Sequence, residues 1–143
     1  MSKKVEVDSL VLELSEVRKY VERLQSTISQ LASELQEIRL SRAAIEELLN
    51  RGSIETLISL DGRGHTYVRG VISEVKSVVA HIGSNYYAEV GSDLAIKLLN
   101  DKESDVLQAL RMVEGELNKV LTYYQQLQET LNKVLREQQE KAK

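Results

Sequence analysis

Two long heptad repeats frame this chain and limit what it can fold into. Steps of four and three residues from Leu10 to Leu49 pass through twelve positions, of which eleven are apolar. The same steps from Leu99 to Gln138 pass through twelve more, of which ten are apolar when Tyr124 is counted. Such spacing, sustained over more than five heptads, is typical of coiled coils. The sequence therefore predicts two long helices, each with one apolar stripe, which we call its seam.

The helix ends carry recognisable signals. We expect helices over about 8–51 and 92–140, with Gly52 just beyond the end of the first. Ser92 is the predicted N-cap of the second helix, and Asp93 falls in its first turn, where the helix dipole favours a negative charge. The chain has no Trp, Phe, Pro or Cys, so Leu, Val and Ile must supply its buried surface. With 29% charged residues, this composition favours a coiled coil over a globule.

A charged residue interrupts each seam, Arg42 in the first and Glu103 in the second. If the middle of the chain reverses its direction, the helices lie side by side and antiparallel, with Leu10 near Gln138. Arg42 and Glu103 then fall within about one layer of each other. We predict that they form a partly buried ion pair. The alternative is that both side chains extend outward into solvent.

The middle of the chain, residues 53–91, loses the helical period and is enriched in β-branched residues. Turn-forming residues at 61–64 and 83–85 divide it. Alternation places Val68, Gly70 and Ile72 on one face of a strand, and Val78, Ala80 and Ile82 on one face of another. We predict two consecutive hairpins, built from strands at about 55–60, 65–73, 76–82 and 86–90.

These strands are expected to need other subunits. An isolated two-stranded hairpin is marginal in water, and its edges leave backbone groups unpaired. We therefore predict an α+β fold, in which a long antiparallel two-helix coiled coil carries two central hairpins that pair with other subunits into a β-barrel body. The residues predicted to serve subunit assembly are Tyr67, Val68, Gly70, Ile72, Val78, Ala80, Ile82 and Gly83.

The order helix, two hairpins, helix resembles the alpha-class subunits of the prefoldin family over essentially all of residues 1–143. Residues 67–72, Tyr-Val-Arg-Gly-Val-Ile, are similar to the family's aromatic-aliphatic-basic-Gly-Val-Ile strand. Residues 82–86, Ile-Gly-Ser-Asn-Tyr, resemble its later turn, and Ser92-Asp93-x-Ala95 resembles its helix start. Beta-class subunits have one hairpin where this chain has room for two, so the resemblance favours the alpha class.

Two turns depart from the family pattern. Residues 60–64, Leu-Asp-Gly-Arg-Gly, are slightly longer than the family's turn and lack its proline. Asn85 stands in place of the second glycine of the later turn. Asn tolerates a positive φ better than most residues, so we expect the later turn to form with Asn85 in the position of that glycine. These departures are compatible with a divergent alpha-type paralogue.

The resemblance implies a chaperone subunit that does not use ATP. Members of the family combine two alpha and four beta subunits in a hexamer, capture non-native proteins at the tips of their coiled coils and deliver them to a group II chaperonin. The alternative is a structural scaffold or a filament, assembled through the β segment without client binding. A third possibility is a tether that exchanges helices with other chains of a larger assembly.

Apolar residues beyond those that the seam requires cluster near the outer ends of both predicted helices. Such side chains are available to an unfolded chain, although ordinary surface leucine and valine are the alternative interpretation. The residues predicted to bind clients are Val5, Val7, Leu10, Val11, Leu12, Leu131, Val134 and Leu135.

Other classes of function find little support in the sequence. The only histidines, His65 and His81, have no nucleophile or ligand cluster beside them, and no phosphate-binding Gly-Lys loop occurs. We therefore predict that the protein is not an enzyme and holds no cofactor or metal. Basic and acidic residues number 8 and 9 in residues 1–51, 4 and 5 in 52–100, and 7 and 8 in 101–143, which argues against a nucleic-acid partner. No apolar run exceeds three residues, so we expect no membrane span and a cytoplasmic location.

Overall fold

The computed structural model describes residues 2–142, which form two α-helices with two β-hairpins between them in chain order. This arrangement confirms the predicted α+β fold. The first helix begins six residues before the predicted position 8, because no periodic apolar residue marks its start. The elements are α1 (Ser2–Arg51), β1 (Ile54–Ser59), β2 (Tyr67–Ile72), β3 (Val78–Gly83), β4 (Tyr86–Val90) and α2 (Ser92–Lys141).

The end of α1 agrees with the sequence, and the start of α2 is displaced by one residue. Gly52 has φ +75° and donates its N–H to the carbonyl of Leu48 at 3.0 Å, as expected of a glycine that closes a helix. At α2, the carbonyl of Gly91 accepts the N–H of Ala95 at 3.0 Å. That bond is the first of the helix, so Gly91 is the N-cap and the assignment of Ser92 was wrong by one position. Asp93 lies in the first turn as predicted.

The chain divides into two compact units. The first comprises Met1–Ser33 and Val106–Lys143, and we call it the arm unit. The second comprises Glu34–Asp105 and is called the hairpin unit. Each contains a segment of both helices, and in each the two segments run antiparallel. In the arm unit, for example, Tyr123 bonds to Glu13 whereas Glu116 bonds to Tyr20, so the α2 numbers fall as the α1 numbers rise.

The seam positions are the most protected part of both units. Among the described residues, seven of the eight buried apolar side chains occupy seam positions, and Ala95, beside the start of α2, is the eighth. Leu49 is the exception, since it is 42% exposed while Leu48 is half-buried. Steps of three and of four residues both return to the same helix face, so packing decides between them here. The buried residues are Leu14, Leu35, Ile38, Ile45, Ala95, Val106, Leu127 and Val134.

The strands form two separate antiparallel hairpins, as predicted. In the first, β1 pairs with β2 from Ile54 opposite Ile72 to Ser59 opposite Tyr67. In the second, β3 pairs with β4 from Val78 opposite Val90, and the register shifts between His81 and Gly83. Residue 82 therefore has no cross-strand partner, and the predicted alternation of Val78, Ala80 and Ile82 is interrupted at its last member.

The two hairpin turns are formed in different ways, the first by hydrogen bonds to a side chain and the second by a residue with positive φ. In the first, the Asp61 carboxylate accepts backbone N–H groups from Arg63 at 2.7 Å, His65 at 3.0 Å and Thr66 at 3.2 Å. These bonds, together with one between the carboxylate and the His65 ring, lower the pKa of Asp61 to about 2, the bond from Arg63 most of all. In the second turn, the positive φ of +48° belongs to Ser84. The turn forms as expected, but the assignment of that conformation to Asn85 was wrong.

Candidate functional site

The residues predicted to bind clients fall into two groups by exposure. They lie in the arm unit at what we call the coil end, residues 2–14 of α1 and 127–142 of α2. Val5 is 67% exposed, Leu12 62%, Val11 51% and Leu135 39%. Val134 is buried, and half-buried positions are taken by Val7, Leu10 and Leu131. The first group is available to a ligand while the coil is closed, and the second only if the coil end opens.

A groove runs beside the seam at the coil end. It has a volume of about 500 Å³, and Leu14 and Leu131 contribute apolar surface to it. On one side of it, the Arg18 guanidinium donates to the Tyr124 hydroxyl at 3.1 Å, which raises the pKa of the arginine. Exposed Val11 belongs to the same lining, so the groove is continuous with the exposed apolar side chains.

Two tyrosines tie the helices of the arm unit together. The Tyr20 hydroxyl donates to the Glu116 carboxylate at 3.2 Å, and the Tyr123 hydroxyl donates to Glu13. In each pair the bond to the carboxylate raises the pKa of the phenol. Both tyrosines are partly exposed and remain bonded across the helix pair. Their first role is therefore to hold the helices in register.

The predicted ion pair between the seams is confirmed in the hairpin unit. Arg42 donates through both terminal nitrogens to the two oxygens of Glu103, each at 3.1 Å, and also to Asn100 at 2.7 Å. Arg39 adds a third bond to Glu103 at 2.8 Å. The side chains of Arg42 and Glu103 are 24% and 20% exposed. The bonds from Arg42, and then those from Arg39, lower the pKa of Glu103 to about 2.

The first hairpin carries apolar side chains on both faces. Ile58 lies opposite Val68 on one face, and their exposed fractions are 42% and 44%. Gly70 lies on the same face, where a Cβ would come within 2.5 Å of the δ-methyl of Ile58, so the Ile58 side chain lies directly over Gly70. The other face holds Leu57 and Tyr67, which are 61% and 55% exposed. On the first face Thr56, Gly70 and Ile72 are half-buried while Ile58 and Val68 stay exposed, so that face is only partly covered.

The second hairpin has one face against the helices and one face in solvent. Val78 and Ala80 are half-buried and line a cavity of about 310 Å³, with Ala95 and Leu99 of α2. The Lys102 ammonium donates to the carbonyl of His81 at 2.8 Å, which ties the hairpin to α2. The opposite face leaves Val79 and Tyr87 exposed, at 70% and 65%. Tyr86 precedes Tyr87 in β4 and so lies on the other face, where it is 72% exposed beside the turn.

The residues predicted to serve subunit assembly differ in exposure, and the structure shows further exposed apolar residues on the hairpins. Tyr67, Val68 and Ile82 are exposed, as is Gly83 at the end of β3. Half-buried positions are taken by Gly70, Ile72, Val78 and Ala80. Sequence analysis missed exposed residues whose faces depend on the pairing register. Strand alternation carried across each hairpin was the signal that could have found most of them. The missed residues are Leu57, Ile58, Val71, Val79, Tyr86 and Tyr87.

Each hairpin also leaves backbone groups available for pairing. Both sheets contain two strands, so within residues 2–142 every strand has one edge without a neighbouring strand. A free edge beside exposed apolar side chains is the usual template for adding a strand from another chain. Over the same residues, no cluster of metal-ligating side chains occurs. Neither α1 nor α2, as described, is apolar enough to cross a membrane.

Comparisons with known proteins agree with this architecture. The family model described as "Prefoldin subunit" matches residues 17–137. The prefoldin subunit alpha of Sulfurisphaera tokodaii is 36% identical over 128 residues, which are 90% of this chain and 83% of that protein. The prefoldin subunit alpha of Saccharolobus solfataricus is 30% identical over 132 residues, which are 91% of this chain and 88% of that protein.

A solved structure shares the fold. A chain of the filamentous prefoldin of Methanocaldococcus jannaschii, determined by electron cryo-microscopy, superposes with a TM-score of 0.66 at 20% identity. The match covers 84% of this chain and 96% of that chain. Prefoldin is a family of chaperone subunits, not of enzymes, and its members form hetero-oligomers with other prefoldin subunits. By fold and by similarity along most of its length, this chain belongs to the prefoldin family, among its alpha subunits.

Proposed function

We propose that this alpha-type subunit is an ATP-independent holdase that captures non-native proteins at its coil end and delivers them to a group II chaperonin. The observation that carries the proposal is the set of exposed apolar side chains there. Val5, Val11, Leu12 and Leu135 all lie outside the seam, so the packing of the two helices does not need them. The cytoplasm, where unfolded chains emerge from synthesis, is the proposed location.

The contacts available at the coil end are weak individually. Burying a Val or Leu side chain completely contributes about 1.5–3 kcal/mol. Leu12 is 62% exposed, so covering it contributes about 1–2 kcal/mol. A few such contacts from one subunit hold a client loosely, and several subunits acting together raise the avidity without new contacts. Loose contacts on several arms suit a protein that must release its client without ATP.

The hairpins supply the proposed assembly surface. Their exposed apolar faces and free strand edges suit the addition of strands from beta-type prefoldin subunits, in a hexamer of two alpha and four beta chains. In this arrangement residues 53–91 are the assembly module and the helices are the arms of a single prefoldin-like domain. Covering Tyr67, Val71, Val79 and Tyr86, each more than half exposed, would remove much of the unpaired apolar surface of the chain.

Four substitutions at the coil end test client capture. The variant V5S/V11S/L12S/L135S removes exposed apolar groups and leaves buried Leu14 and Leu127 unchanged. We expect it to assemble normally and to lose most of its protection of heat-denatured luciferase against aggregation, measured by light scattering. Deletion of residues 1–11 and 132–143 should have the same effect.

A matched control removes comparable apolar surface elsewhere. Leu40, Met112 and Leu121 are 56%, 70% and 37% exposed on the helices, outside the coil end. The variant L40S/M112S/L121S should protect luciferase like the unmodified protein. Equal losses in the two variants, or undiminished protection in the coil-end variant, would refute capture at this site.

A filament is the second candidate function, and one observation favours it. The structural neighbour from Methanocaldococcus jannaschii is described as a filamentous prefoldin. Two hairpins with free edges on one chain suit repeated strand addition as well as closed assembly. The mass of the protein alone, and after mixing with a beta-type subunit, distinguishes the two candidates. A discrete hexamer that appears only on mixing favours the holdase, whereas a ladder of species from this chain alone favours the filament.

A further inference from the structure

The apolar seams do not by themselves choose one alignment, or register, of α1 against α2. Eleven of the twelve seam positions in α1 and ten of the twelve in α2 are apolar, and all but one of these are Leu, Val or Ile. If α2 slides along α1 by seven residues, its seam faces α1 again, because seven residues make nearly two helical turns. Apolar side chains then still meet apolar ones in most layers. The register is therefore selected at positions whose chemistry differs from the rest of the seam.

The charged seam positions, Arg42 and Glu103, meet in one closely bonded layer. Both terminal nitrogens of Arg42 donate to Glu103 at 3.1 Å, and Arg42 also donates to Asn100 at 2.7 Å. Arg39 donates to Glu103 at 2.8 Å. No buried side-chain nitrogen or oxygen within residues 2–142 lacks a hydrogen-bond partner, so the polar groups placed in the seam are satisfied. We call these four residues, Arg39, Arg42, Asn100 and Glu103, the charged layer.

A slip of one heptad would break every bond of the charged layer between the helices. In one direction, Arg42 would face Ile96 and Glu103 would face Leu35. A slip in the other direction likewise places both charges opposite leucines. Each charge would then lie against apolar side chains without its partner, which is strongly unfavourable because it has lost hydration and gained no bond in return. The observed register is the one that pairs both charges.

The segment between the helices leaves room for such a slip. The second hairpin is tied to α2 by the bond from Lys102 to the carbonyl of His81. Residues 73–77, which form neither helix nor strand, join this hairpin to the first. Five extended residues reach about 17 Å, whereas one heptad of a helix is about 10 Å long. The connection therefore does not replace the charged layer in setting the register.

We propose that the charged layer specifies the register of the two helices, and that this, rather than added stability, is its main effect. A buried ion pair contributes little net stability relative to apolar residues of similar volume, because both charges lose hydration. Its loss in every shifted register is what makes the observed register unique. The register matters for assembly because the second hairpin packs over a cavity lined by Ile45 of α1 and Leu99 of α2. A fixed register keeps that hairpin in one position against both helices.

Distances between two spin labels, measured by pulsed electron paramagnetic resonance in the full chain, test the proposal. The chain has no cysteine, so E37C/K97C places labels only at two exposed positions of the hairpin unit. They lie on opposite sides of the charged layer, about 16 Å apart along the helix axes. Excess unlabelled protein ensures that only pairs within one chain are measured. We expect one narrow distance with the charged layer intact. In R42L/E103L we expect two or more populations, displaced by about 10 Å along the axes, with a urea midpoint that is equal or higher.

Moving the arginine by one heptad gives a directional test. In L35R/R42L, Glu103 meets a seam arginine again only if α2 slides by seven residues. That slide reduces the axial separation of the labels from about 16 Å to about 6 Å, so we expect a single, shorter distance. The control E47A/R51A removes an exposed ion pair of α1 that lies outside the charged layer, and it should keep the original distance.

Two results would overturn the proposal. A single, unshifted distance in R42L/E103L would show that apolar packing and the connection suffice to fix the register; if its urea midpoint also fell, the charged layer would be a stabilising contact only. The original distance in L35R/R42L would show that the helices keep their alignment even when it leaves the charges unpaired.

Discussion

Replacement of Gly115 by alanine tests how much a glycine inside α2 lowers the stability of the protein. It is the only glycine inside a helix among the described residues, and a Cβ added there would meet nothing within 4 Å. Replacement by alanine therefore changes the helix propensity without adding a clash or a packing contact. Glycine in a helix interior costs about 1 kcal/mol relative to alanine. We expect Gly115→Ala to raise the free energy of unfolding by about that amount and the melting temperature by about 2–4 °C.

Two other glycines provide controls of opposite sign. At Gly52 the backbone has φ +75°, where a Cβ costs about 1–2 kcal/mol. At Gly64 the backbone has φ +76°, so a Cβ there carries the same cost. The same substitution, Gly→Ala, is thus expected to stabilise the protein at one site and to destabilise it at two.

Urea denaturation followed by helical circular dichroism measures all three variants at equal protein concentration, since assembly shifts apparent stability. Hydrogen exchange of the amides around residue 115 locates the effect in α2. A neutral or destabilising Gly115→Ala would refute the argument, because it would show that the helix needs glycine at a position where the structure leaves open space.

Three further predictions concern the seam, the ion pair between Arg42 and Glu103, and the first hairpin turn. Leu35→Ala, at a buried seam position, should lower the free energy of unfolding by about 2–4 kcal/mol. Leu40→Ala, at a 56% exposed position, should change it by less than about 1 kcal/mol. Equal losses of stability in urea denaturation would contradict the assigned seam. The folded-state pKa of Glu103 lies below its ordinary value of 4.5, so its pairing with Arg42 stabilises the protein above that pH and is lost as the pH falls toward about 2. Glu103→Gln should remove this part of the acid dependence of urea midpoints, and an unchanged acid limb would argue against it. Asp61→Asn should loosen the first hairpin turn, seen as faster exchange of the amide of Thr66, because the neutral amide accepts hydrogen bonds more weakly than the carboxylate does.

Local sequence patterns predicted most of the fold. The 3.5-residue repeat located both helices because burial on a helix follows sequence spacing directly. Strand alternation and turn residues located both hairpins, although their limits shifted by one or two residues. The pairing of Arg42 with Glu103 also followed from counting, since two antiparallel seams of equal length bring their interruptions together. Each of these features depends on neighbours along the chain or on one simple arrangement of two helices.

The candidate sites were predicted less completely. The sequence grouped Val134 with Leu12 at the coil end, yet one is buried and the other is 62% exposed. Both are apolar residues near a helix end, and only the contact with the opposite helix separates them. The hairpin residues Val79 and Tyr87 were missed because their exposure depends on which face of the hairpin packs on the helices.

The sequence by itself determined the kind of elements, their order and the family, because periodicity, turn chemistry and local motifs are written along the chain. The tertiary structure decided which apolar side chains remain outside the packed seam and which charges face each other. It placed Tyr20 beside Glu116 and Arg18 beside Tyr124, although the members of each pair are far apart along the chain. Exposure and cross-helix contact each depend on two surfaces, and a surface has no partner until the helices have packed.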